Sequence, residues 1–362
     1  MSSLRVTQAD VARHAGVSRT AASFVLSGRE GVRIPVGTRQ RIMDAAQELG
    51  YRPNRTAQSL RTRKTQTIAL IFDAVGAGHY AGEMIQGALE AALERDHLLY
   101  IAETGGDPAL EEKLLQEMID RQVDGVILAA MSTRTARLSE QMRRIPAVLL
   151  NCLDESGESV CVVPDEEAAG RHAAQLLLDA GHRDGVHVVG GHHVSEGTPE
   201  GSFAGKLRMS GIETAMEAAG TRLAGTVECD WSAPEHGYLA TRSLLESASV
   251  PAAVICCNDR LAVGAYQALR ESELRVPDDI SLVSFGDSGL PSWLRPPVTS
   301  VVLPHHELGR TAVSLLLADE PAPKIHRIPM TLSRRGSITP CAPDPLEPMP
   351  TATAASAYPP SH

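Results

Sequence analysis

Several side chains able to contact nucleic-acid bases share one face of a short helical pattern near the N-terminus. They are Arg19, Thr20, Ser23 and Phe24, and apolar residues recur at helical spacing on the opposite face. Ser18, directly before the pattern, is a good N-cap. A helix beginning there would turn its first side chains outward, as a recognition helix offers them to base edges in the major groove of DNA.

A second helical pattern precedes this one and must position it. Thr7 is a good N-cap, Asp10 completes an approximate capping box, and Gly16 ends the pattern. Val11 and Ala12 give this helix a small apolar face. Two short helices that meet at a glycine indicate a helix-turn-helix, and the alternative is a small hairpin inside a larger helical core.

The distribution of charge favours the helix-turn-helix. Residues 1–64 contain twelve Lys and Arg against four acidic residues, whereas the rest of the 362-residue chain contains 22 basic and 40 acidic residues. The net charge is therefore +8 over residues 1–64 and −18 over the rest of the chain, which together give the net charge of −10 for the whole chain. A basic head would accumulate on phosphates, while an acidic body is repelled by them.

The cysteines and the hydropathy favour a cytoplasmic, soluble protein. The six cysteines form no CxxC pair, and the polar N-terminus lacks the apolar region of a secretory signal. We therefore expect reduced and mostly buried thiols. No run approaches the ~20 apolar residues of a membrane span, so no membrane partner is expected.

A third helix and a linker follow. Thr38 is expected to cap the helix and Gly50 to end it, which would close a small all-α core. In the next stretch, residues 51–65, a helical segment could run from about Pro53 to Leu60 with few apolar side chains. Helices below ~12 residues are marginal in water. This segment should therefore order only when something holds it.

From Thr67 onward, apolar strands alternate with amphipathic helices. The strands are TIALIF, LLYIAE, VDGVILAA and AVLLN, and after Asp165 a similar cycle brings GVHVVGG, GTVECD, AAVICCN and ISLVSFG. This alternation predicts parallel sheets covered on both faces. Two tandem halves suggest a duplication, with a ligand cleft where the strands point their carboxyl ends. Residues 341–362, rich in Pro and Ala, are expected to be disordered.

With these features together, the chain resembles the LacI/GalR family of bacterial transcription regulators over roughly residues 5–337. The segments that carry the resemblance are VTQADVARHAGVSRTAASFVLSG, TRQRIMDAAQELGYRPNRTAQSLR, GHRDG, PAAVICCNDRLAVGAYQAL, and ISLVSFGD followed by PPVTSVVLPHHELGRTAV. The resemblance implies a repressor without enzymatic activity, cofactor or metal. It also implies a homodimer on a palindromic double-stranded DNA operator, with the operator affinity switched by a small effector, often a sugar.

The resemblance implies three parts: a small all-α helix-turn-helix head over 1–52, a hinge helix and linker over 53–66, and an α/β bilobed body over 67–340. The body would resemble periplasmic binding proteins and consist of two doubly wound parallel-sheet subdomains. Its first lobe would hold about 67–165 and 298–320, and its second lobe about 166–297 and 321–340. The tail 341–362 lies beyond the resemblance.

The resemblance also assigns DNA-contacting residues. They are Thr7, Ser18, Arg19, Thr20, Ser23 and Phe24 in the head, and Asn54, Ala57, Leu60 and Arg61 in the hinge. Arg19 can bond a guanine through two hydrogen bonds, whereas Phe24 replaces a common arginine and can only pack on a methyl or a sugar. Leu60 would enter the minor groove as a wedge that kinks the DNA. The alternatives are that Phe24 caps the head core and that Leu60 is buried against the body.

The effector residues implied by the resemblance lie at strand ends and in one helix. They are Asp73, Tyr80, Asn151, Arg208, Trp231, Asn258 and Asp287. Arg208 offers a planar fork to hydroxyls or a carboxylate, and Trp231 offers a ring face to a sugar. Gly286 stands where the family motif usually has an acid, which weakens the case for a plain hexose. Asp73 could equally cap the next helix, and Asp259 is interpreted as a helix cap.

An enzyme is one alternative function. Gly76, Gly78 and Gly82 approximate a dinucleotide fingerprint after the first strand. However, the last glycine is misplaced, and Glu103 lies 27 residues past Gly76 where ~20 is expected for a ribose-binding acid. No GxSxG or Walker motif occurs.

Metal binding and sugar binding without DNA are further alternatives. The pairs His192–His193 and His305–His306 could suggest a metal, but adjacent histidines on a strand point to opposite faces. A periplasmic sugar-binding protein would share the bilobed body. The basic head and the missing signal peptide argue against it.

Overall fold

A computed structural model of the chain describes residues 6–27, 32–52, 64–73, 81–192, 202–247, 250–318 and 323–340. Within the described head residues, three helices pack together: α1 (Gln8–His14), α2 (Arg19–Leu26) and α3 (Val36–Glu48). The small apolar core between them consists of Val11, Ala12, Ala22, Val25, Ile42, Ala45 and Ala46. The three predicted helices are confirmed.

The start of α3 differs from the prediction. Pro35 is the N-cap, and the helix begins two residues before Thr38. Pro35 has a φ of −54°, and its side chain has no oxygen with which to cap the helix. Its carbonyl oxygen accepts the first hydrogen bonds of α3, from the N–H groups of Thr38 at 2.9 Å and Arg39 at 3.0 Å.

Two six-stranded sheets form the described part of the body. The first contains β1 (Thr67–Phe72), β2 (Leu98–Glu103), β3 (Gly125–Ala136), β4 (Ala147–Asp154), β5 (Val160–Pro164) and β11 (Ile325–Ile328), in the order β11–β5–β4–β3–β1–β2. The second contains β6 (Val186–Gly190), β7 (Gly225–Glu228), β8 (Ala253–Cys256), β9 (Ser281–Gly286), β10 (Thr299–Val302) and β12 (Leu332–Ser333), in the order β12–β10–β9–β8–β6–β7. Parallel pairing dominates both sheets, and β12 runs antiparallel to β10.

Helices separate these strands along the chain. They are α4 (Ala81–Leu93), α5 (Pro108–Asp120), α6 (Glu166–Asp179), α7 (Ala204–Ala218), α8 (Pro234–Ser247), α9 (Asp259–Glu271), the single turn α10 (Leu290–Trp293) and α11 (His305–Leu316). The core of the first lobe packs α4 and α11 on its sheet, and the core of the second lobe packs α6 to α9 on the other. The predicted α/β class with two parallel-dominated sheets is confirmed.

Two strands near the C-terminal end lie in the sheet opposite to the lobe predicted for them. β10 pairs with β9 in the second sheet, although residues 298–320 are predicted in the first lobe, where α11 does pack. β11 pairs with β5 in the first sheet, although residues 321–340 are predicted in the second lobe, where β12 does lie. The chain therefore crosses between the sheets after β5, after β10 and after β11. Periodicity identifies a strand but not the neighbour with which it pairs.

β3 extends beyond its predicted end and reaches the space between the lobes. It continues to Ala136 after a register shift between Ala129 and Arg134, and Arg134 pairs with Ser202 in the segment before α7. This extension brings residues from both lobes close together.

The described end of the linker is held by Asp124. The two carboxylate oxygens of Asp124 accept hydrogen bonds from the backbone N–H groups of Thr65 and Gln66, each at 2.8 Å. The backbone N–H of Asp124 donates to the Thr67 carbonyl oxygen at 2.7 Å. Residues 64–67 are thereby tied to the turn before β3. Hinge residues 53–63 and the tail 341–362 lie outside the described residues.

Candidate functional site

Thr7 and Asp10 hold the start of α1 by reciprocal hydrogen bonds. Asp10 Oδ2 accepts from the Thr7 backbone N–H at 2.9 Å, and Thr7 Oγ1 accepts from the Asp10 N–H at 3.4 Å. The bonds from Thr7, with help from the Arg13 guanidinium, lower the pKa of Asp10. The predicted capping box is confirmed.

The first turn of α2 presents two polar side chains to solvent. Ser18 Oγ accepts from the Ala21 N–H at 3.1 Å, which confirms the predicted N-cap. Gly16 has a φ of +63°, a conformation that favours glycine and turns the chain from α1 into α2. Arg19 and Thr20 are exposed beyond the cap. A guanidinium and a hydroxyl therefore stand where a recognition helix contacts bases.

Phe24 lies in α2 outside the apolar core of the described head residues. Its side chain and that of Ser23 are half-buried, and the core cluster of the described head residues does not include Phe24. This placement favours the interpretation in which Phe24 belongs to the outer face of α2. The other predicted DNA contacts, Asn54, Ala57, Leu60 and Arg61, lie outside the described residues.

In the body, Arg208 on α7 forms a buried ion pair with Glu166 at the start of α6. Arg208 Nε donates to Glu166 Oε2 at 2.7 Å, and Arg208 Nη2 donates to Glu166 Oε1 at 3.0 Å. The two side chains are 4% and 0% exposed. Arg208 Nη1 also donates to the Cys257 carbonyl oxygen at 2.5 Å. The Glu166 carboxylate and the Cys257 carbonyl oxygen thus hold the Arg208 guanidinium in one orientation.

Two aromatic rings flank the Arg208 guanidinium. Its central carbon lies 5.3 Å from the centroid of the Trp231 ring and 4.7 Å from that of Phe285. Trp231 Nε1 donates to the Gly190 carbonyl oxygen at 3.0 Å, which fixes the indole. The negative faces of the rings favour the cation and supply flat apolar surface beside it.

The first lobe joins this pair through Thr133 and Asn151. Thr133 Oγ1 lies 2.8 Å from Asn151 Oδ1 and 3.2 Å from Glu166 Oε1, so its single proton is shared between two acceptors. Asn151 Nδ2 donates to the Ala130 carbonyl oxygen at 3.0 Å. The Thr133 carbonyl oxygen accepts from the Phe203 N–H of the second lobe at 3.0 Å. Hydrogen bonds of Thr133 therefore connect the first lobe to Glu166 and Phe203 of the second lobe.

Asn258 performs the capping role that was predicted for Asp259. Asn258 Oδ1 accepts from the Leu261 N–H at 2.8 Å at the start of α9, and its Nδ2 donates to the Trp231 carbonyl oxygen at 2.9 Å. Asn258 has the extended backbone of an N-cap, whereas Asp259 is already helical. Asp259 is instead fully buried and accepts from Ser284 Oγ at 2.8 Å. Burial raises the pKa of Asp259.

Two further predicted effector carboxylates form ion pairs within the protein. Asp73 Oδ2 accepts from Arg134 Nε at 3.3 Å, and its Oδ1 accepts from the Met131 N–H at 3.0 Å. Asp287 Oδ1 accepts from Arg335 Nη2 at 2.6 Å. Both carboxylates thus hold neighbouring strands or loops. Tyr80 lies outside the described residues.

Four of the predicted effector residues therefore meet at one place. The interlobe cluster, as we name it, consists of Thr133, Asn151, Glu166, Arg208, Trp231, Asn258 and Phe285. Sequence reasoning missed Thr133, Glu166 and Phe285. The available signal for Glu166 was an acid in the first turn of a helix, which is common because it interacts favourably with the helix dipole. Nothing local indicated that it would be buried.

Other chemistry that the sequence suggested is not assembled in the described residues. No group of three or more His, Cys, Asp or Glu among them is placed to hold a metal ion. Of the glycines in the dinucleotide-like stretch, Gly82 lies in α4, whereas Gly76 and Gly78 fall outside the described residues. Glu103, the residue considered for ribose binding, is exposed at the end of β2.

His305 at the start of α11 borders the interlobe cluster and should make stability depend on pH. Burial, together with the charge of Arg208, lowers the pKa of His305 to about 4. Below its ordinary pKa of ~6.5 the unfolded chain binds a proton that the native state does not accept until about pH 4. Stability should therefore fall with decreasing pH, by roughly 2 kcal/mol from this group between about pH 7.5 and pH 5.

The matched variants His305→Gln and His306→Gln test this contribution. His305 is 5% exposed, whereas the His306 side chain is 41% exposed and contacts Glu90. Urea unfolding followed across this pH range should show a flatter dependence for His305→Gln than for the wild type. His306→Gln is the control for replacing an exposed histidine at the start of the same helix. Equal slopes in all three proteins would contradict the prediction.

Comparison with known proteins gives matches over both parts of the chain. The family model described as bacterial regulatory proteins, lacI family, matches residues 7–54, and a periplasmic binding protein-like domain matches residues 174–338. The ribose operon repressor of Haemophilus influenzae is 32% identical over 316 residues, which cover 86% of this chain and 91% of that protein. The sequence similarity therefore spans the head and the body.

Two solved structures are similar over nearly the whole chain. A complex of the transcriptional regulator CelR with cellobiose has a TM-score of 0.63 at 28% identity and covers 92% of this chain and 100% of that chain. The lac repressor dimer bound to operator and an anti-inducer has a TM-score of 0.72 at 24% identity, with 93% and 100% covered. At 24% identity, the similarity to the lac repressor structure indicates a shared fold only.

Proposed function

The chain belongs to the lacI family of bacterial regulatory proteins. We therefore propose that it represses transcription as a homodimer on a palindromic operator. We further propose that a small polyol, bound at the interlobe cluster, controls its affinity for the operator. The observation that carries the DNA-binding part is the capped first turn of α2, which exposes Arg19 and Thr20. The net charge of +8 over residues 1–64 supports it.

Replacing Arg19 by alanine should weaken binding to the operator by roughly tenfold to a hundredfold, because a two-hydrogen-bond contact to guanine is worth about 1–3 kcal/mol. Binding is measured by fluorescence anisotropy on a duplex selected from a random palindromic library. Lys113→Ala, an exposed change on α5, is the control and should bind like the wild type. Equal affinity of Arg19→Ala and Lys113→Ala would contradict the assignment of α2 as the recognition helix.

The hinge completes the proposed DNA interface. Asn54, Ala57, Leu60 and Arg61 are proposed to form a short helix on DNA, with Leu60 as the wedge in the minor groove. The hydrogen bonds from Thr65 and Gln66 to Asp124 support a fixed end for this segment. A hinge helix that is marginal alone would allow a ligand in the body to control DNA binding.

The composition of the interlobe cluster supports a carbohydrate as the effector. It combines the half-buried indole ring of Trp231 with amide, hydroxyl and guanidinium groups, which suit the apolar face and the hydroxyls of a sugar. A thermal-shift screen with D-ribose, cellobiose and other sugars tests this. A sugar that binds the native body should raise the melting temperature in proportion to the logarithm of its concentration. A screen without any such response would contradict a sugar effector.

The proposed place of action follows from DNA binding. As a repressor the protein would act in the cytoplasm, beside the nucleoid. Among the residues that the structure describes, every helix is too short or too polar to cross a membrane.

A further inference from the structure

The cations that the structure describes around the interlobe cluster are each paired with a carboxylate. Arg208 pairs with Glu166 at 2.7 Å, and Arg134 pairs with Asp73 at 3.3 Å. His305, the other basic side chain beside Arg208, is buried and keeps a neutral ring near pH 7. The described part of the cluster therefore offers little net positive charge to a ligand.

Glu166 occupies the position that an anionic ligand would need. Both of its oxygens accept from the same guanidinium, with Oε1 also 3.2 Å from Thr133 Oγ1. This is the geometry with which arginine binds a carboxylate or a phosphate from outside the protein. A ligand carboxylate would have to displace Glu166 from the fork and would leave that carboxylate buried without its partner.

We infer that Glu166 is a specificity-determining residue that restricts the effector to uncharged polyols. This inference rests on the proposed function, since it takes the interlobe cluster as the effector site. A neutral hydroxyl compound needs no counter-charge at the cluster. An acid derived from the same sugar finds the Arg208 guanidinium already bonded to Glu166, so its carboxylate would lose water without gaining a charged partner. Selectivity thus arises because a carboxylate of the protein occupies the guanidinium that an acid would need.

The test uses matched pairs of a sugar and its uronic acid, which keep the same ring and differ only by a carboxylate in place of a CH2OH group. D-glucose is compared with D-glucuronate, D-galactose with D-galacturonate, and D-mannose with D-mannuronate, by thermal shift and calorimetry on the full-length protein at constant ionic strength. The variants are Glu166→Gln and, as control, Glu167→Gln. Glu167 lies next along α6, is about half-exposed and pairs with Arg171 at 3.2 Å. The wild type and Glu167→Gln should bind every acid at least tenfold more weakly than any sugar that binds.

Glu166→Gln should bind at least one acid at least tenfold more tightly than the wild type does, because the Arg208 charge is no longer neutralised. A variant that gains no affinity for any acid would overturn the inference, as would a wild type that prefers an acid to its parent sugar. The proposed function is judged separately, by the wild-type response to sugars. If no sugar binds but Glu166→Gln captures an acid, the inference stands and the sugar effector fails.

Glu166→Gln removes the carboxylate that pairs with a buried arginine and could therefore unfold the protein, so a second variant is needed. Glu166→Ala removes the carboxylate and leaves a cavity that acetate could fill. Its melting temperature, or its refolding yield if it does not fold in dilute buffer, is measured in sodium acetate and in sodium chloride of equal ionic strength. Recovery in acetate alone would support an anion-binding fork occupied by Glu166. Equal behaviour in the two salts would overturn it.

Discussion

Replacing Arg208 by methionine is expected to lower the free energy of unfolding of the body by about 3–5 kcal/mol, because the substitution leaves a buried carboxylate without its counter-charge. Glu166 has a fully buried side chain, and Arg208 supplies two of its hydrogen bonds. Urea unfolding monitored by circular dichroism measures the change at neutral pH. The loss should be larger than that from an ordinary hydrogen bond, which is worth about 1 kcal/mol.

A matched surface pair provides the control. Arg242 and Glu246 are separated by 3.5 Å on α8, with side chains 42% and 71% exposed. Arg242→Met should change stability by less than about 1 kcal/mol, since solvent screens exposed pairs. Adding Glu166→Gln to Arg208→Met should recover most of the lost stability, because the lone buried charge is removed. A cost of Arg208→Met no larger than that of Arg242→Met would contradict the prediction.

The buried ion pair complicates a test of Arg208 as an effector residue. Removal of an effector residue should abolish the effector response and spare operator binding. Removal of Arg208 also weakens the body, so a lost response could reflect partial unfolding. Operator binding and effector response of Arg208→Met should therefore be compared with those of the double variant, in which the lone charge is absent.

Replacing Gly87 by alanine is expected to destabilise the first lobe by about 2–4 kcal/mol, because α4 and α11 would have to move apart. A Cβ atom at Gly87 would lie 2.0 Å from the His306 carbonyl oxygen, and one at Gly309 would lie 2.0 Å from that of Met84. Each helix therefore uses a glycine where the backbone of the other approaches. Backbone carbonyls cannot rotate away as the end of a flexible side chain could.

Gly82→Ala on the same helix is the control. Among the residues that the structure describes, nothing lies within 4 Å of a Cβ atom built at Gly82, so alanine should raise stability by about 0.5 kcal/mol through helix propensity. The melting temperatures of both variants, measured by thermal unfolding, distinguish the effect of the close helix contact at Gly87 from the effect of helix propensity. Gly87→Ala as stable as Gly82→Ala would disprove the close approach. The same reciprocal arrangement occurs in α6–α7 with Gly170 and Gly211, and in α8–α9 with Gly237 and Gly264.

Local features of this protein could be predicted from the sequence because their partners lie within a few residues. The capping box of Thr7 and Asp10 and the cap at Ser18 join residues three apart. The apolar strand Thr67–Phe72 is buried along its whole length, as an all-apolar run between helices predicts. The family resemblance added the positions of Asn151, Arg208, Trp231 and Asn258, which the fold brings together.

What the sequence could not determine depends on partners far apart along the chain. Whether β10 or β11 belongs to the first sheet depends on which strand edge each one meets after the chain crosses between the lobes. Asn258 rather than Asp259 caps α9 because its backbone is extended there, and two adjacent polar residues do not reveal which one is. One-residue differences of this kind lie within the uncertainty of any helix boundary.

The pairing of Arg208 with Glu166 shows the same division between sequence and tertiary structure most clearly. The sequence shows an arginine with a planar fork, and the family resemblance places it among residues suited to a polyol. The fold fills that fork with a carboxylate of the protein. Burial explains this pairing: once α6 and α7 pack together and exclude water, each charge needs a partner within hydrogen-bond distance, and the packing of these helices places Glu166 there.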